Sequence, residues 1–194
     1  DTLYEYLNTG DDTYIEVNDG PTELEAQTFT PTVTHTITSV KLLVYRNDGE
    51  FPGTVTVSIR ATTAGTPSGA DLCSGTYNGN TFTINPVGAW VEWTLGAGTL
   101  LTAGTQYAIV ISSAGVGGSN STQIRRQNTG NYSGGKTWYY DTIWVDYADG
   151  SDNLFEEYGT PLAGEVVGVL FVYGTTLHYV GNDGIEYALQ GTAA

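Results

Sequence analysis

The chain is poor in the residues that common catalytic and metal sites require. Its 194 residues include no methionine, one cysteine and two histidines. Because Cys73 is alone, no disulfide can form within the chain. His35 and His178 lie in predicted strands without cysteine or histidine neighbours at ligand spacing, so we expect no zinc site. No Gly-x-Ser-x-Gly motif occurs and two histidines leave few ways to activate a nucleophile, so we predict that the protein is not an enzyme.

Positive charge is equally scarce. Six Lys and Arg stand against 21 Asp and Glu, which gives a formal net charge of -15. Such a field repels phosphate backbones and anionic lipid surfaces. We therefore expect no nucleic-acid partner, whereas cations, neutral glycans and other proteins stay open as partners.

Long apolar runs are missing too. The longest, Val166 to Tyr173, is interrupted by Gly168 and is far shorter than the roughly 20 residues of a membrane-spanning helix. We therefore expect no membrane insertion.

What the chain does contain is typical of β structure. Hydrophobic residues make up 40% of it and glycine contributes 26 residues, and a chain of this length can form one domain that buries roughly 70% of its unfolded surface. The segment Thr105 to Ser112 is short, apolar and β-branched, and glycine lies on both sides of it. This pattern predicts an inner strand that is buried on both faces.

Other segments alternate apolar and polar residues, as half-buried strands do. Thr54 to Arg60 alternates cleanly, and Thr36 to Arg46 predicts a long one-sided strand with a bulge near Thr38 and Ser39. The stretch Ala61 to Asn80 is rich in Gly, Thr, Ser and Pro. We interpret it as an irregular surface connection with one short strand near Leu72 to Gly75.

Short strands recur along the rest of the chain, for example Thr81 to Ile84, without alternating helices. This spacing favours an all-β fold, a β-sandwich of about eight strands. Beyond Gly159 we expect a connector and then a C-terminal β-hairpin, because an Asn-Asp-Gly turn separates Thr176 to Val180 from Ile185 to Leu189. The predicted domains are therefore residues 1–159 and residues 160–194.

One segment fits a nucleotide-binding motif. Gly130 to Thr137 matches G-x-x-x-x-G-K-[ST], the pattern of the P-loop. That loop requires a following helix whose N-terminus faces the phosphates. The next residues, Trp138 to Val145, have no helical period, so we interpret the match as accidental.

An acidic loop is a candidate calcium site. Asp146, Asp149, Asp152 and Asn153 crowd the start of a predicted strand, and a second acidic stretch spans residues 11–19. Hard oxygen ligands of this kind suit Ca²⁺. The spacing does not match an EF-hand loop, and solvated surface acids are the alternative. Structural calcium is the only cofactor that we predict.

Aromatic residues are dense just before that loop, and five of them are candidate ligand-binding residues: Trp138, Tyr139, Tyr140, Trp144 and Tyr147. Strand alternation places Trp138, Tyr140 and Trp144 on one face and the other two on the opposite face. One set is expected to fill the core. The other is open to stacking on sugar rings or to a protein contact.

Five segments together resemble a jelly-roll module of the carbohydrate-binding-module type, as found in the choice-of-anchor domains of bacterial surface proteins and in phage structural proteins. They are Ala26 to Pro31, Ile37 to Val40, Gly53 to Ile59, Leu101 to Val110 and Asn153 to Gly159. The resemblance covers about Asp12 to Gly159. It implies a jelly-roll β-sandwich that serves as a non-catalytic binding or assembly module, with no fixed functional residues to transfer.

The predicted hairpin, Leu177 to Val180 and Ile185 to Gly191, is similar to short hairpins of phage virion proteins. The two resemblances together imply an extracellular or virion-surface protein, such as a decoration, fibre or tail protein, whose partners are copies of itself or other surface proteins. A secreted carbohydrate-binding module is the first alternative. The second is an extracellular filament subunit that assembles by strand addition.

Overall fold

A computed structural model describes residues 1–17, 23–114, 120–130 and 132–162, and the backbone of residues 169–173, 176–180 and 186–189. The chain divides into two compact units, Asp1–Pro161 and Leu162–Ala194. The described part is almost entirely β structure, and its one helical element is the 3₁₀ turn Gly79–Thr81. None of these segments is a helix of the length and apolarity that crossing a bilayer requires.

The first unit contains thirteen described strands, numbered here in chain order. They are β1 (Thr2–Leu7), β2 (Thr13–Val17), β3 (Leu24–Phe29), β4 (His35–Tyr45), β5 (Thr54–Thr63), β6 (Thr66–Asn78), β7 (Ala89–Leu101), β8 (Tyr107–Ser113), β9 (Thr122–Gln127), β10 (Thr137–Asp141), β11 (Ile143–Asp146), β12 (Asp152–Asn153) and β13 (Phe155–Pro161).

These strands form two antiparallel sheets. The first has the order β1-β13-β4-β9-β12, with β2 paired to β9 and β7 paired to β4. The second has the order β11-β10-β3-β8-β5-β6. Apolar side chains of both sheets meet in one main core. The predicted all-β sandwich is thus confirmed, whereas its assignment as a jelly roll stays a prediction.

Strand β8 has the central position that its composition predicts. It lies between β3 and β5. Its alternate residues Tyr107, Ile109 and Ile111 belong to the main core. Ala108 and Val110 belong to a second, smaller apolar cluster. The strand is therefore buried on both faces.

Two further strand predictions are confirmed. Val55, Val57 and Ile59 of β5 are fully buried in the main core. In β4 the register against β7 shifts between Ile37 and Ser39. This irregularity brings the apolar residues on both sides of it to the same face.

The stretch from Ala61 to Asn80 is not an irregular connection, and that part of the prediction is wrong, whereas the short strand predicted near Leu72 to Gly75 lies within β6. β5 and β6 form a long hairpin whose turn contains Ala64 and Gly65, both with positive φ. β6 is the edge strand of its sheet and most of its side chains are exposed. An exposed edge strand has no need of alternating apolar residues, so hydrophobic periodicity does not detect it.

The predicted strand from Thr81 to Ile84 is also wrong. The chain there leaves the 3₁₀ turn and forms no ladder. Phe82 is buried in the main core while Ile84 is exposed. A single buried aromatic residue therefore anchors this segment without a strand partner.

The second unit has one more strand than predicted. Its described strands are β14 (Val169–Tyr173), β15 (Thr176–Val180) and β16 (Glu186–Leu189). They form a three-stranded antiparallel sheet in the order β14-β15-β16. The predicted hairpin corresponds to β15 and β16, and the apolar run before it supplies β14.

Candidate ligand-binding groove

The hairpin of β10 and β11 divides the candidate aromatic residues between two sides. Trp138 lies opposite Asp146 and Tyr140 opposite Trp144, so these four side chains share one face. Tyr139 lies on the other face, and its ring centroid is 4.9 Å from that of Tyr147. This is the division that strand alternation predicts.

Trp138 packs on the side of the second sheet that is turned away from the main core. It is 8% exposed and belongs to the smaller apolar cluster with Ala26, Ala108 and Val110, against which Trp144 also packs. Trp138 therefore has a packing role. We expected one set of aromatic residues to fill the core. None of the five residues belongs to the main core, and only the smaller apolar cluster contains members of that set.

The other side of the hairpin borders a groove of about 760 Å³. β2 forms one wall, and the opposite wall consists of the start of β3, the end of β10 and Tyr147. We call it the tyrosine groove, because four tyrosines border it: Tyr14, Tyr139, Tyr147 and, at the end of β10, Tyr140, whose ring packs with Trp144 on the opposite face of the hairpin. Three of them belong to the predicted aromatic set.

Four acidic residues line the same groove, and only one of them, Glu16, belongs to a stretch that the sequence analysis singled out. They are Glu16, Glu23, Glu25 and Asp141. The acidic stretch at residues 11–19 was a partial signal for Glu16. The others come from strands that are distant in sequence, and only the pairing of β3 with β10 places them together.

Glu25 is the most unusual residue of the groove. Its side chain is 5% exposed, and its Oε1 accepts a hydrogen bond of 2.9 Å from the Tyr147 hydroxyl. Its Oε2 has no hydrogen-bond partner among the described residues. Burial raises the pKa of Glu25 to about 8, although the Tyr147 hydrogen bond and the charge of Arg126 act in the opposite direction.

Tyr147 is held between this carboxyl group and a cation. The guanidinium carbon of Arg126 lies 4.5 Å from the centroid of the Tyr147 ring, in cation–π geometry. Arg126 is itself buried and lies 3.8 Å from Asp149. Burial and the nearby Glu25 raise the pKa of the Tyr147 hydroxyl, which therefore stays a hydrogen-bond donor at neutral pH.

The predicted calcium ligands already have protein partners. Asp146 pairs with Lys136 at 2.5 Å. Asp149 accepts hydrogen bonds from the backbone and hydroxyl of Ser151, which hold the pKa of Asp149 below its usual value. Asp152 is buried, and its Oδ1 accepts a hydrogen bond of 3.0 Å from the side-chain amide of Gln27.

Asp146, Asp149 and Asp152 nevertheless border one groove, of about 490 Å³, together with Lys136. Asn153 is fully buried and does not line it. Within the described ranges, no group of three or more His, Cys, Asp or Glu residues is arranged to hold a metal ion. Calcium binding by this loop stays a prediction.

The P-loop-like segment leads into a strand. Thr137 begins β10, and the Lys136 ammonium group is paired with Asp146. A Cβ on Gly135 would overlap the Thr28 carbonyl group, so this glycine permits a close approach of two backbones. The helix N-terminus that phosphate binding requires does not follow this segment.

His35 makes a buried hydrogen bond with Glu157. Its Nε2 lies 2.7 Å from Glu157 Oε1, and both side chains are fully buried. The ring of Tyr4 stacks on the imidazole at 3.7 Å between centroids. Burial opposes protonation of His35, but its hydrogen bonds to Glu157 and to the Val33 carbonyl leave its pKa raised. This pair joins β4 to β13 and is not in the tyrosine groove.

No protein-family model matches the chain, and no curated protein sequence matches it either.

Proposed function

We propose that the protein is a non-catalytic, extracellular binding module that binds a glycan in the tyrosine groove. The observation that carries this proposal is the Tyr139–Tyr147 ring pair, with centroids 4.9 Å apart, in a groove that carboxyl groups also line. Aromatic faces offer a large contact area to the apolar face of a sugar ring. Carboxylates accept hydrogen bonds from sugar hydroxyls.

The partial exposure of Tyr139 and Tyr147 supports a binding role over a packing role. Tyr139 and Tyr147 belong to neither apolar cluster and are partly exposed. Trp138, on the opposite face of the same hairpin, is nearly buried. The volume of about 760 Å³ is in the usual range of ligand sites, about 300–1,000 Å³.

A glycan array followed by isothermal titration calorimetry tests the proposal. The array identifies a ligand, and calorimetry compares the wild type with Tyr139→Ala. We expect the variant to lose about tenfold or more in affinity, because a stacking aromatic residue contributes on the order of 1–2 kcal/mol. Tyr6→Ala is the matched control, because Tyr6 is 52% exposed on β1 and does not line the groove.

Three results would contradict the proposal. The first is a protein that binds no glycan on the array, and the second is an equal loss of affinity in both variants. The third is the release of reducing sugar during a long incubation, since this would indicate a hydrolase.

A second candidate function is assembly on a virion surface by strand addition, and one feature of the fold favours it. β1 is the end strand of the first sheet and, within the described residues, pairs only with β13. Its other edge can accept a strand from a neighbouring copy or from another surface protein. Tyr6 lies in this strand with more than half of its side chain exposed.

Light scattering over a concentration series tests this second candidate. If β1 accepts a neighbouring strand, the wild type forms a defined oligomer and Tyr6→Lys shifts it toward the monomer, because a charged residue blocks edge pairing. A wild-type monomer at all concentrations would exclude assembly through β1.

A further inference from the structure

A buried cluster of polar side chains joins β1 to β13 and β4, and it takes no part in the tyrosine groove. At its centre is the imidazole of His35 on β4, which is fully buried together with the side chain of Glu157 on β13. Each ring nitrogen lies 2.7 Å from an oxygen atom: Nδ1 from the carbonyl oxygen of Val33, and Nε2 from Oε1 of Glu157.

These two contacts require two hydrogens. A carbonyl oxygen only accepts, so Nδ1 carries the hydrogen that it shares with Val33. The contact between Nε2 and Glu157 needs a second hydrogen, which belongs either to a protonated imidazole or to a protonated carboxyl group. A neutral imidazole beside a carboxylate has only one hydrogen for both contacts. The buried pair therefore holds one titratable proton, and when it is lost one of the two contacts has no hydrogen.

Strand β1 covers this pair. Its register against β13 shifts between Leu3 and Glu5. Such an irregularity can re-aim one side chain, and the ring of Tyr4 at this point stacks on the His35 imidazole. Glu5 lies directly opposite Glu157 in the register, so the two carboxyl groups are on the same face.

Glu5 also connects β1 to two loops. Its Oε1 accepts hydrogen bonds of 2.8 and 2.9 Å from the backbone and hydroxyl of Thr32, and its Oε2 accepts one of 3.4 Å from the Tyr132 hydroxyl. The titratable groups packed around the pair are therefore Tyr4 and Glu5 from β1 and Tyr132 from the loop before β10. Loss of the proton leaves a buried negative charge on Glu157 beside a second carboxyl group, which is unfavourable.

The strand of this cluster with the fewest neighbours is β1. It is an end strand and, within the described residues, pairs only with β13, whereas β4 pairs with β13, β7 and β9. Segments with fewer contacts open at lower free energy than the centre of a sheet. Loss of the proton is therefore expected to act on β1 first.

We infer that the proton shared by His35 and Glu157 is a latch for β1, which stays on the edge of β13 while the pair holds the proton and is released when the pair loses it at alkaline pH. Release of β1 uncovers backbone groups of β13 that another strand can bind. This device does not depend on glycan binding in the tyrosine groove.

The direction of the pH effect follows from the same contacts. Burial opposes protonation of His35, but its hydrogen bonds to Glu157 and Val33 raise its pKa above the ordinary value of 6.5. Burial also raises the pKa of Glu157. Above about pH 6.5 the folded pair thus keeps a proton that the open form has released, so the latch weakens as pH rises.

Hydrogen exchange of the whole chain, measured by mass spectrometry, tests the latch. The series runs from about pH 6 to about pH 9.5, below the titration of tyrosine. Rates are corrected for the intrinsic pH dependence of exchange, and β1 is compared with the central strand β8. We expect the protection of β1 to fall by up to about tenfold per pH unit above about pH 6.5, because opening releases one proton. We expect a smaller change in β8.

The proton is followed in the same series by ¹⁵N nuclear magnetic resonance of the histidine rings. The chain has two histidines, and His178→Gln assigns the signals of His35. We expect the ring shifts of His35 to change over the same pH range in which β1 loses protection.

Glu157→Gln removes the titration but keeps both hydrogen bonds. The glutamine amide donates to Nε2 of His35 while Nδ1 donates to Val33, so no hydrogen is lost near neutral pH. We expect the protection of β1 in this variant to be independent of pH. Glu156→Gln is the matched control, because Glu156 is the adjacent carboxyl on the opposite face of β13, where it accepts a hydrogen bond from Asn8. It should keep the wild-type profile.

Three results would overturn the inference. The first is protection of β1 that does not change while His35 loses its proton. The second is an equal fall in β1 and β8, since the proton would then stabilise the whole unit. The third is a Glu157→Gln profile with the wild-type slope. Slopes against pH are compared, so a general loss of stability in a variant does not obscure the result.

Discussion

The substitution Glu25→Gln tests whether burial keeps the Glu25 carboxyl group protonated in the folded chain. Burial raises the pKa of Glu25 from its ordinary value of 4.5 to about 8 in the folded chain. Between these pH values the unfolded chain releases a proton that the folded chain keeps. The free energy of unfolding of the wild type therefore falls as pH rises through this window.

The size of this fall follows from the difference between the two pKa values. At about 1.4 kcal/mol per pKa unit, the difference corresponds to at most about 5 kcal/mol. Water entry and local relaxation reduce the cost of a buried charge, so we expect about 2 to 3 kcal/mol between about pH 5 and about pH 8. Glutamine imitates the protonated acid, keeps an acceptor for the Tyr147 hydroxyl, and removes this dependence.

Urea unfolding followed by tryptophan fluorescence measures the effect. With a slope of about 2 to 3 kcal/mol per molar urea, the midpoint of Glu25→Gln should exceed that of the wild type by about 1 M at the alkaline end of the series. The two midpoints should converge at the acidic end. Glu92→Gln, an exposed carboxyl on β7 that is not among the groups acting on the pKa of Glu25, is the matched control. Parallel pH profiles of wild type and Glu25→Gln would refute the account of Glu25.

Other predictions concern the core, a close backbone contact and the acidic loop. Ile109→Ala in the centre of β8 should lower the free energy of unfolding by about 2–5 kcal/mol in urea titrations, because Ile109 is fully buried in the main core; a loss below 1 kcal/mol would contradict its central position. Gly75→Ala should lower the free energy of unfolding by about 1–3 kcal/mol in the same assay, since the added Cβ would overlap the Thr94 carbonyl oxygen. An unchanged midpoint would contradict this close approach of β6 and β7. If the acidic loop binds calcium, titration calorimetry should detect calcium binding by the wild type, and Asp149→Asn should weaken this binding at least tenfold. The absence of binding heat in the wild type would refute the calcium prediction.

The parts of the fold that could be predicted are those in which burial imposes a pattern. β8 is apolar because both of its faces are covered, and β5 alternates because one face is covered. The bulge in β4 was visible because the apolar phase changes near Thr38. Each of these features is recorded in the spacing of residues along one strand.

The two segments that were predicted wrongly, β6 and Thr81 to Ile84, have few buried side chains, so burial leaves no clear pattern in their sequences. Most of β6 is exposed at a sheet edge, so its sequence resembles that of a loop. The strand expected at Thr81 to Ile84 has the right composition but no partner. Propensity alone does not form a strand without a neighbouring ladder.

For a related reason, the tyrosines of the candidate site could be predicted from the sequence, whereas Glu25 could not. The tyrosines of β10 were conspicuous because they are close together in sequence. Glu25 was not, because its environment depends on pairing with a segment more than 100 residues away, at Tyr139. A groove formed by β2, β3 and β10 exists only after the sheets are assembled.

The most direct test of the account is to locate the bound ligand by nuclear magnetic resonance. The ¹⁵N-labelled chain is titrated with a glycan that binds, and amide shift changes are assigned to residues. We predict the largest changes in β2, around Glu25, at Tyr139 to Asp141 and at Tyr147. Changes concentrated on β1 and β7, with the groove unaffected, would contradict the claim that the tyrosine groove is the binding site.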